Sequence, residues 1–507
     1  MELHKKNRNA VFISILLLLS LAIRLFYLPH TPIYGDGAVY AEIIDEFIHS
    51  PAPVPYFMGH IISWKPPLGF AVYSFFISLF TAVTPGMPLE VVYRLPPLIF
   101  GVLSTLAVYF LARKLYGDDV AFLSSLIFTI NPVAIVVSED LLLETIVSFL
   151  LISGVLLYME GEKNRKYIYY AGLVGALLFF TKSIIAFLLP ALGIAYYLGS
   201  KKMAHDAEMG RSFLISLSGV PLAMMLYALV FYIYAPPGQG ADIRISYIYD
   251  LFLRVYGSAD KLMLLVNTIQ FLRLTLPWSI MFFGGLLLIN LKNREDRFIY
   301  VWLVLMLVFL GASQFYSWYL LLALPPFSIL CARVALQIRN RKFFIPLLFL
   351  FFILALPQIS NPEFTGLYPH LNTNNVTTDR VEVGLFLQNK TDIMTISEDG
   401  LPEIVFYKFH GERTPDYAGF DMKVLKPSSP AGYIAYKTVY EMALGLVHSQ
   451  NLINASDVKN MIANSSSNAH VVMDSKVYET YSTSPLQNYS TEFNSSHGNY
   501  IVLKRVT

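Results

Sequence analysis

The sequence predicts a mainly α-helical polytopic membrane protein that carries a small extracytoplasmic α/β domain at its C-terminal end. Three observations predict it. Hydrophobic residues make up 55% of the 507 and charged residues only 14%, a balance outside every soluble globular class. Apolar segments of near-spanning length recur through residues 1–357. From 358 onward the chain turns polar and rich in Asn, Ser and Thr. The net charge of +2 says little about partners, no nucleic-acid signature is present, and neither a phosphate-binding loop nor a dinucleotide fingerprint occurs.

The first apolar segment, Val11 to Leu28, follows Lys5, Lys6 and Arg8 and lacks a small-residue cleavage site, which predicts an uncleaved signal anchor with a cytoplasmic N-terminus. Twelve segments approach spanning length: 11–28, 66–84, 95–112, 119–137, 141–159, 167–181, 183–199, 212–234, 275–291, 298–312, 316–334 and 343–357. If all twelve span, Arg113, Lys114, Lys163, Arg165, Lys166, Lys201 and Lys202 fall outside, against the positive-inside rule. If 66–84 lies along the outer interface instead, these clusters and the later ones (Lys292, Arg294, Arg297; Arg339, Arg341, Lys342) all move inside. Eleven spans are therefore expected, with 29–94, 138–144, 235–274 and the tail outside. The lone Cys331 sits in an apolar run and reads as a buried, inert thiol.

In the tail, strand-like runs ("DIMTIS", "HVVMDS", "YIVLKRV") alternate with helix-like ones ("LPEIVFYKFHG", "TVYEMALGLVHSQ"), the pattern of an α/β domain over 358–507, beside a membrane domain over 1–357. The tail holds six Asn-x-Ser/Thr sequons, at Asn375, Asn389, Asn454, Asn464, Asn488 and Asn494, and residues 1–357 hold none. Chance in an Asn/Ser-rich stretch explains them as well as an exterior location does.

Residues 34–50, "YGDGAVYAEIIDEFIHS", set an acidic cluster at a membrane boundary. Tyr40, Ile43, Ile44, Phe47 and Ile48 recur at the spacing of one helix face, which places Glu42, Asp45, Glu46 and His49 on the other. A helix lying on the outer leaflet with its carboxylates in water is expected. Asp36 precedes that face between Gly35 and Gly37, and two roles fit it: a helix N-cap, and a carboxylate held for chemistry. A second acidic group, Glu139, Asp140 and Glu144, falls in the next outer turn, because each carboxylate at the bilayer centre costs roughly 2.5–3.5 kcal/mol. Glu144 begins a descending helix and points toward the bundle, or simply favours the positive helix end. Lys65 in "SWKPPLGF" and Lys182 in "FFTKSII" lie at two further outer boundaries. Each alone reads as a snorkelling lysine. Two lysines and two carboxylates on one membrane face instead suit a lipid phosphate beside a general base.

In series, "YGDGAVYAEI", "WKPPL", "YRLPPLIFGVLSTLAVYFLARKLYG", "SEDLLLET", "FFTKS" and "WYLLLALPP" resemble the GT-C glycosyltransferases, on the branch of the lipid A aminoarabinose transferase and the protein O-mannosyltransferases. The likeness covers about residues 10–335. It implies a GT-C fold with interfacial helices in the first external loop, a polyprenyl-phosphate sugar as donor, and a glycan, protein or lipid as acceptor. It further implies that Asp36 is the catalytic aspartate, that Glu144 stands at the second acidic position, and that Lys65 and Lys182 hold the donor phosphate. Arg254 matches a phosphate-binding arginine, with Arg244 competing for that place; Tyr319 resembles a tyrosine near the phosphate, and Arg94 an arginine before the second span. Many relatives have Asp-Glu where this chain has Asp36-Gly37. Trp64 precedes Lys65, so no metal ligand is carried over, and the resemblance implies no metal or cofactor. The expected product is a multi-pass plasma-membrane enzyme with its site outside. A transporter or lipid flippase is the rival, against which stand the placement of the charges at helix ends and the absence of an internal repeat.

Overall fold

The structure, a computed structural model, describes residues 2–28, 32–62, 65–198, 200, 206–234, 263–312, 317–337, 346, 350–351, 353, 374–397, 402–410, 420–425, 452–453, 457–465, 469–481, 486 and 489–505. The chain divides into two compact units. One comprises Met1–His30, Lys65–Ile233 and Ile248–Leu371; the other comprises Thr31–Trp64, Tyr234–Tyr247 and Asn372–Thr507. The division is not a single cut, because the acidic loop segment groups with the C-terminal domain.

The first unit is helical throughout its described residues. Among the described residues, five helical stretches are long and apolar enough to cross a membrane: Arg8–Phe26, Leu89–Tyr116, Glu144–Gly161, Lys166–Tyr197 and Ala207–Tyr234. The expected single span 119–137 is instead a pair, Asp118–Thr129 and Pro132–Glu139, bent by 57°. Asn131 is the reason: its side chain accepts from the Val133 N–H at 3.0 Å and Pro132 occupies the first turn, so a new helix starts there. The stretch 166–197 reverses within itself. Lys166–Lys182 ends where Ser183 takes φ +36°, a short 3-10 turn follows, and Leu188–Tyr197 runs back. Both Ile168 and the Tyr197 hydroxyl lie beside Gly161, so the two ends of the stretch share one level. Close backbone approach packs this hairpin on its neighbour, since a Cβ on Gly219 would run into the Gly172 carbonyl.

Charged side chains collect at the two ends of this unit. At one, Arg113 pairs with Asp118 at 2.8 Å and Lys114 with Glu160. Arg333 forks onto Asp296 at 2.8 and 3.2 Å while Tyr116 donates to the same carboxylate at 2.7 Å. The helix Glu144–Gly161, about 27 Å long at about 1.5 Å per residue, carries Glu160 at this end and Glu144 at the other.

The second unit contains the helix Gly35–His49, a hairpin of strands β1 (Tyr56–Phe57) and β2 (His60–Ile61), and a six-stranded sheet. Its strands are β3 (Ile393–Ser397), β4 (Phe420–Leu425), β5 (Leu452–Ile453), β6 (His470–Asp474), β7 (Tyr489–Asn494) and β8 (Tyr500–Arg505), in the order β5-β4-β3-β6-β8-β7. β5, β4, β3 and β6 are parallel, and β8 pairs antiparallel with both β6 and β7. Ile396, Val471, Met473 and Leu503 pack with Val458, Ile462 and Val477 to form its core. Buried Asp379 ties the helix Asn374–Phe386 to the β7–β8 turn, accepting from His497 and Asn499 at 2.8–3.1 Å.

Candidate active site

In the helical unit, four sequence-predicted residues come to one end. Lys65 precedes Pro66 and Pro67, after which the helix Leu68–Val83 begins. Gly69, in its first turn, faces Leu143 and Thr181, the residues just before Glu144 and Lys182. The Tyr73 hydroxyl donates to the Leu142 carbonyl at 2.8 Å and lies 3.1 Å from Thr145 Oγ1. The Lys65 carbonyl accepts from the Tyr227 hydroxyl at 3.2 Å, and the Tyr227 ring meets Phe179 and Phe180 edge-on. Lys65 and Lys182 are thereby brought to the same end of the unit, 6% and 3% exposed.

Lys182 forms an ion pair with Glu144, the two side chains 4% and 0% exposed, and its Nζ lies 4.8 Å over the Tyr319 ring. Removal from water strengthens such a pair and makes each partner dependent on the other. A lysine held by a carboxylate and an aromatic face is an oriented cation, suited to an incoming phosphate that competes for the ammonium.

Arg94 belongs to a different group. It is 2% exposed, and its Nη1 donates to the Leu28 carbonyl at 3.3 Å, which ties the end of the first helix. Glu139 lies within electrostatic range of both Arg94 and Arg24. Arg24, fully buried, donates to Ser20 Oγ at 2.7 Å and joins a chain of hydroxyls through Thr105 and Thr129. Sequence reasoning passed over Arg24, although the signal was present: it is the one charge within Val11–Leu28, and an ionisable residue inside an apolar span calls for a partner. Arg254 and its rival Arg244 lie outside the described residues.

In the second unit, Asp36 is exposed, and its surroundings correct the sequence reading twice. The helix begins at Gly35, so Asp36 lies in its first turn and not ahead of it; the cap position is Tyr34, which makes no side-chain cap bond. The first correction therefore removes the N-cap role. Gly35 adopts φ +53°, a left-handed conformation for which the missing Cβ is required. Its N–H donates to Glu403 Oε1 at 2.8 Å. The second correction concerns the polar face. Glu42 and Asp45 are 1% and 8% exposed, not bathed in water. The helix Pro402–Phe409 covers this region: His410 Nδ1 sits 2.7 Å from Asp45 Oδ2, and the Tyr407 hydroxyl accepts from the Ile33 N–H at 3.1 Å. Glu46 accepts from the Gly59 N–H at 3.0 Å. The apolar face is buried as expected, with Tyr40, Ile43 and Ile44 at 2% exposure or less. Among the described residues no cluster of His, Cys, Asp and Glu could hold a metal ion.

Residues 65–233 match the family model described as dolichyl-phosphate-mannose-protein mannosyltransferase. No curated protein matches the chain in sequence. Several solved structures are similar over nearly its whole length, among them two with lipid phosphates. ArnT from Cupriavidus metallidurans, bound to undecaprenyl phosphate, has 14% identity and a TM-score of 0.68 over 97% of each chain. The oligosaccharyltransferase AglB from Archaeoglobus fulgidus, with an inhibitory peptide and a dolichol-phosphate, has 13% identity and a TM-score of 0.56 over 98% of this chain and 74% of its own. The chain is thus an integral membrane protein with the GT-C glycosyltransferase fold, and it resembles the ArnT and protein mannosyltransferase branch.

Proposed function

We propose that the protein transfers a sugar from a polyprenyl-phosphate donor to a glycan, protein or lipid acceptor at the outer face of the plasma membrane, inverting the anomeric centre. Residues 1–357 would form the transferase domain and 358–507 the exterior domain. The observation that carries this reading is the gathering of Lys65, Lys182, Glu144 and Tyr319 at the end of the helical unit opposite its basic end. The basic end, with Arg113, Lys114 and Arg333, suits the cytoplasm. That orientation agrees with the sequence reading of a cytoplasmic N-terminus and eleven spans. Leu68–Val83 is apolar but only 16 residues long, and it leads within a few residues into the helix that carries Arg94, which supports an interfacial role.

Asp36 accepts the proton of the acceptor hydroxyl or amine as that group attacks the anomeric carbon; the bond to the lipid phosphate breaks on the opposite face. Lys65 and Lys182, with Arg254 or Arg244, stabilise the charge gathering on the departing phosphate. Glu144 releases Lys182 to the phosphate and orients the sugar or acceptor, Tyr319 backs the lysine, and Arg94 fixes the helix ends beneath. The test is Asp36→Asn in reconstituted vesicles supplied with a polyprenyl-phosphate sugar. Turnover should fall ~10²–10⁴-fold, the share general-base catalysis contributes. Near-normal turnover would remove Asp36 from the reaction.

A further inference from the structure

We infer that Glu403 is a positioning residue for the turn that carries Asp36, so that the C-terminal domain takes part in the transfer step itself. The inference rests on the general-base reading of Asp36.

A helix start leaves its first backbone N–H groups without intrahelical acceptors, and a nearby Ser, Thr, Asp or Asn ordinarily supplies one. Here Tyr34 makes no such bond. The acceptor comes from 368 residues away: Glu403 Oε1 takes the Gly35 N–H at 2.8 Å. One helical turn later in the same element, the Tyr407 hydroxyl accepts the Ile33 N–H at 3.1 Å. Two side chains of Pro402–Phe409 thus hold the backbone on either side of Tyr34, directly ahead of Asp36. His410, at the end of that helix, meets Asp45 at 2.7 Å, so the helix Gly35–His49 is gripped at a second point further along.

Glu403 is itself oriented. It is 3% exposed, and its Oε2 accepts from Arg380 Nη1 at 3.3 Å. Arg380 Nε in turn donates to the Tyr500 hydroxyl on β8 at 2.7 Å. The chain from the sheet to the Asp36 turn therefore runs Tyr500, Arg380, Glu403, Gly35. A buried carboxylate costs desolvation that an apolar residue would avoid, and the bond to Gly35 is what it obtains in return. Asp36, an exposed residue, lies in the first turn of the helix whose start is held in this way.

The test uses the full-length protein in vesicles, comparing Glu403→Ala, Glu403→Gln and, as a control in the same domain, Lys390→Ala, which breaks a peripheral pair with Glu492. Glu403→Ala should lower kcat about 10- to 100-fold, the loss that misplacement of a reacting group by about 1 Å produces, with the KM for the donor lipid changed less than about twofold. Glu403→Gln keeps an oxygen for the Gly35 N–H and should recover most of kcat. Lys390→Ala should match the parent. In an Asp36→Asn background, Glu403→Ala should add no further loss. Should Glu403→Ala fail to accumulate, Tyr407→Phe deletes a single hydroxyl and must lower kcat at unchanged KM. Parental kcat in Glu403→Ala, or in Tyr407→Phe, beside an inactive Asp36→Asn overturns the inference and leaves the base in place. Near-normal Asp36→Asn instead overturns the base reading.

Discussion

Glu144 and Lys182 offer a perturbation whose structural and chemical parts separate. Their side chains are 0% and 4% exposed, and Lys182 also lies over the Tyr319 ring at 4.8 Å. Removing one partner of a buried pair strands the other charge and costs about 3–5 kcal/mol. Lys182→Met additionally loses the cation–π contact, worth about 0.5–2 kcal/mol. Replacing both partners by methionine strands nothing and should fall well short of the summed single losses. The assay is equilibrium unfolding of the purified protein in a mild detergent, run as a double-mutant cycle. Binding of polyprenyl phosphate gives the second readout. Lys65→Met and Lys182→Met should each weaken it, whereas Glu144→Gln removes the anion that competes for the Lys182 ammonium and should tighten it about tenfold, or about 1.4 kcal/mol. Turnover in Glu144→Gln should fall nevertheless. Two outcomes refute the reasoning: small, additive stability losses across the cycle, or Glu144→Gln weakening phosphate binding as much as Lys182→Met.

Two further expectations follow from charge. A cysteine introduced at exposed position 86 should react with an impermeant thiol reagent from outside, and one at exposed position 163 only from inside; labelling of 86 from the cytoplasmic side would make Leu68–Val83 a span. In the C-terminal domain, burial opposes ionisation of Asp379, but hydrogen bonds from His497 and Asn499 outweigh it and hold the carboxyl below its ordinary range. A depressed folded pKa stabilises fully above the unfolded value of about 3.9 and ceases to as pH falls through the folded one, so thermal stability of the full chain should decline in acid below about pH 4. Asp379→Ala should cost about 1–3 kcal/mol near neutrality, by removing the buried acceptor that His497 and Asn499 share, and should flatten that acid limb. An unchanged acid limb in Asp379→Ala would place the decline elsewhere.

Membrane character, the sorting of charge to the two ends of the helices and the residues worth testing were legible in the sequence, because hydropathy and loop charge are local properties that a bilayer reads segment by segment. Lys65, Glu144 and Lys182 stand out in a linear reading as ions at the margins of apolar runs. Partnership is not local. That Lys182 meets Glu144, or Arg24 lies near Glu139, depends on which helices pack side by side, and no periodicity encodes that. The clearest case is the helix Gly35–His49. Its spacing separates an apolar face from a polar one, yet says nothing of what covers each, and water was the default for the carboxylates. Only the tertiary structure sets Pro402–Phe409 against it, burying Glu42 and Asp45 and capping Gly35 with Glu403. An amphipathic pattern specifies a difference between two faces; a partner more than 350 residues away along the chain decides whether the polar one meets water or protein.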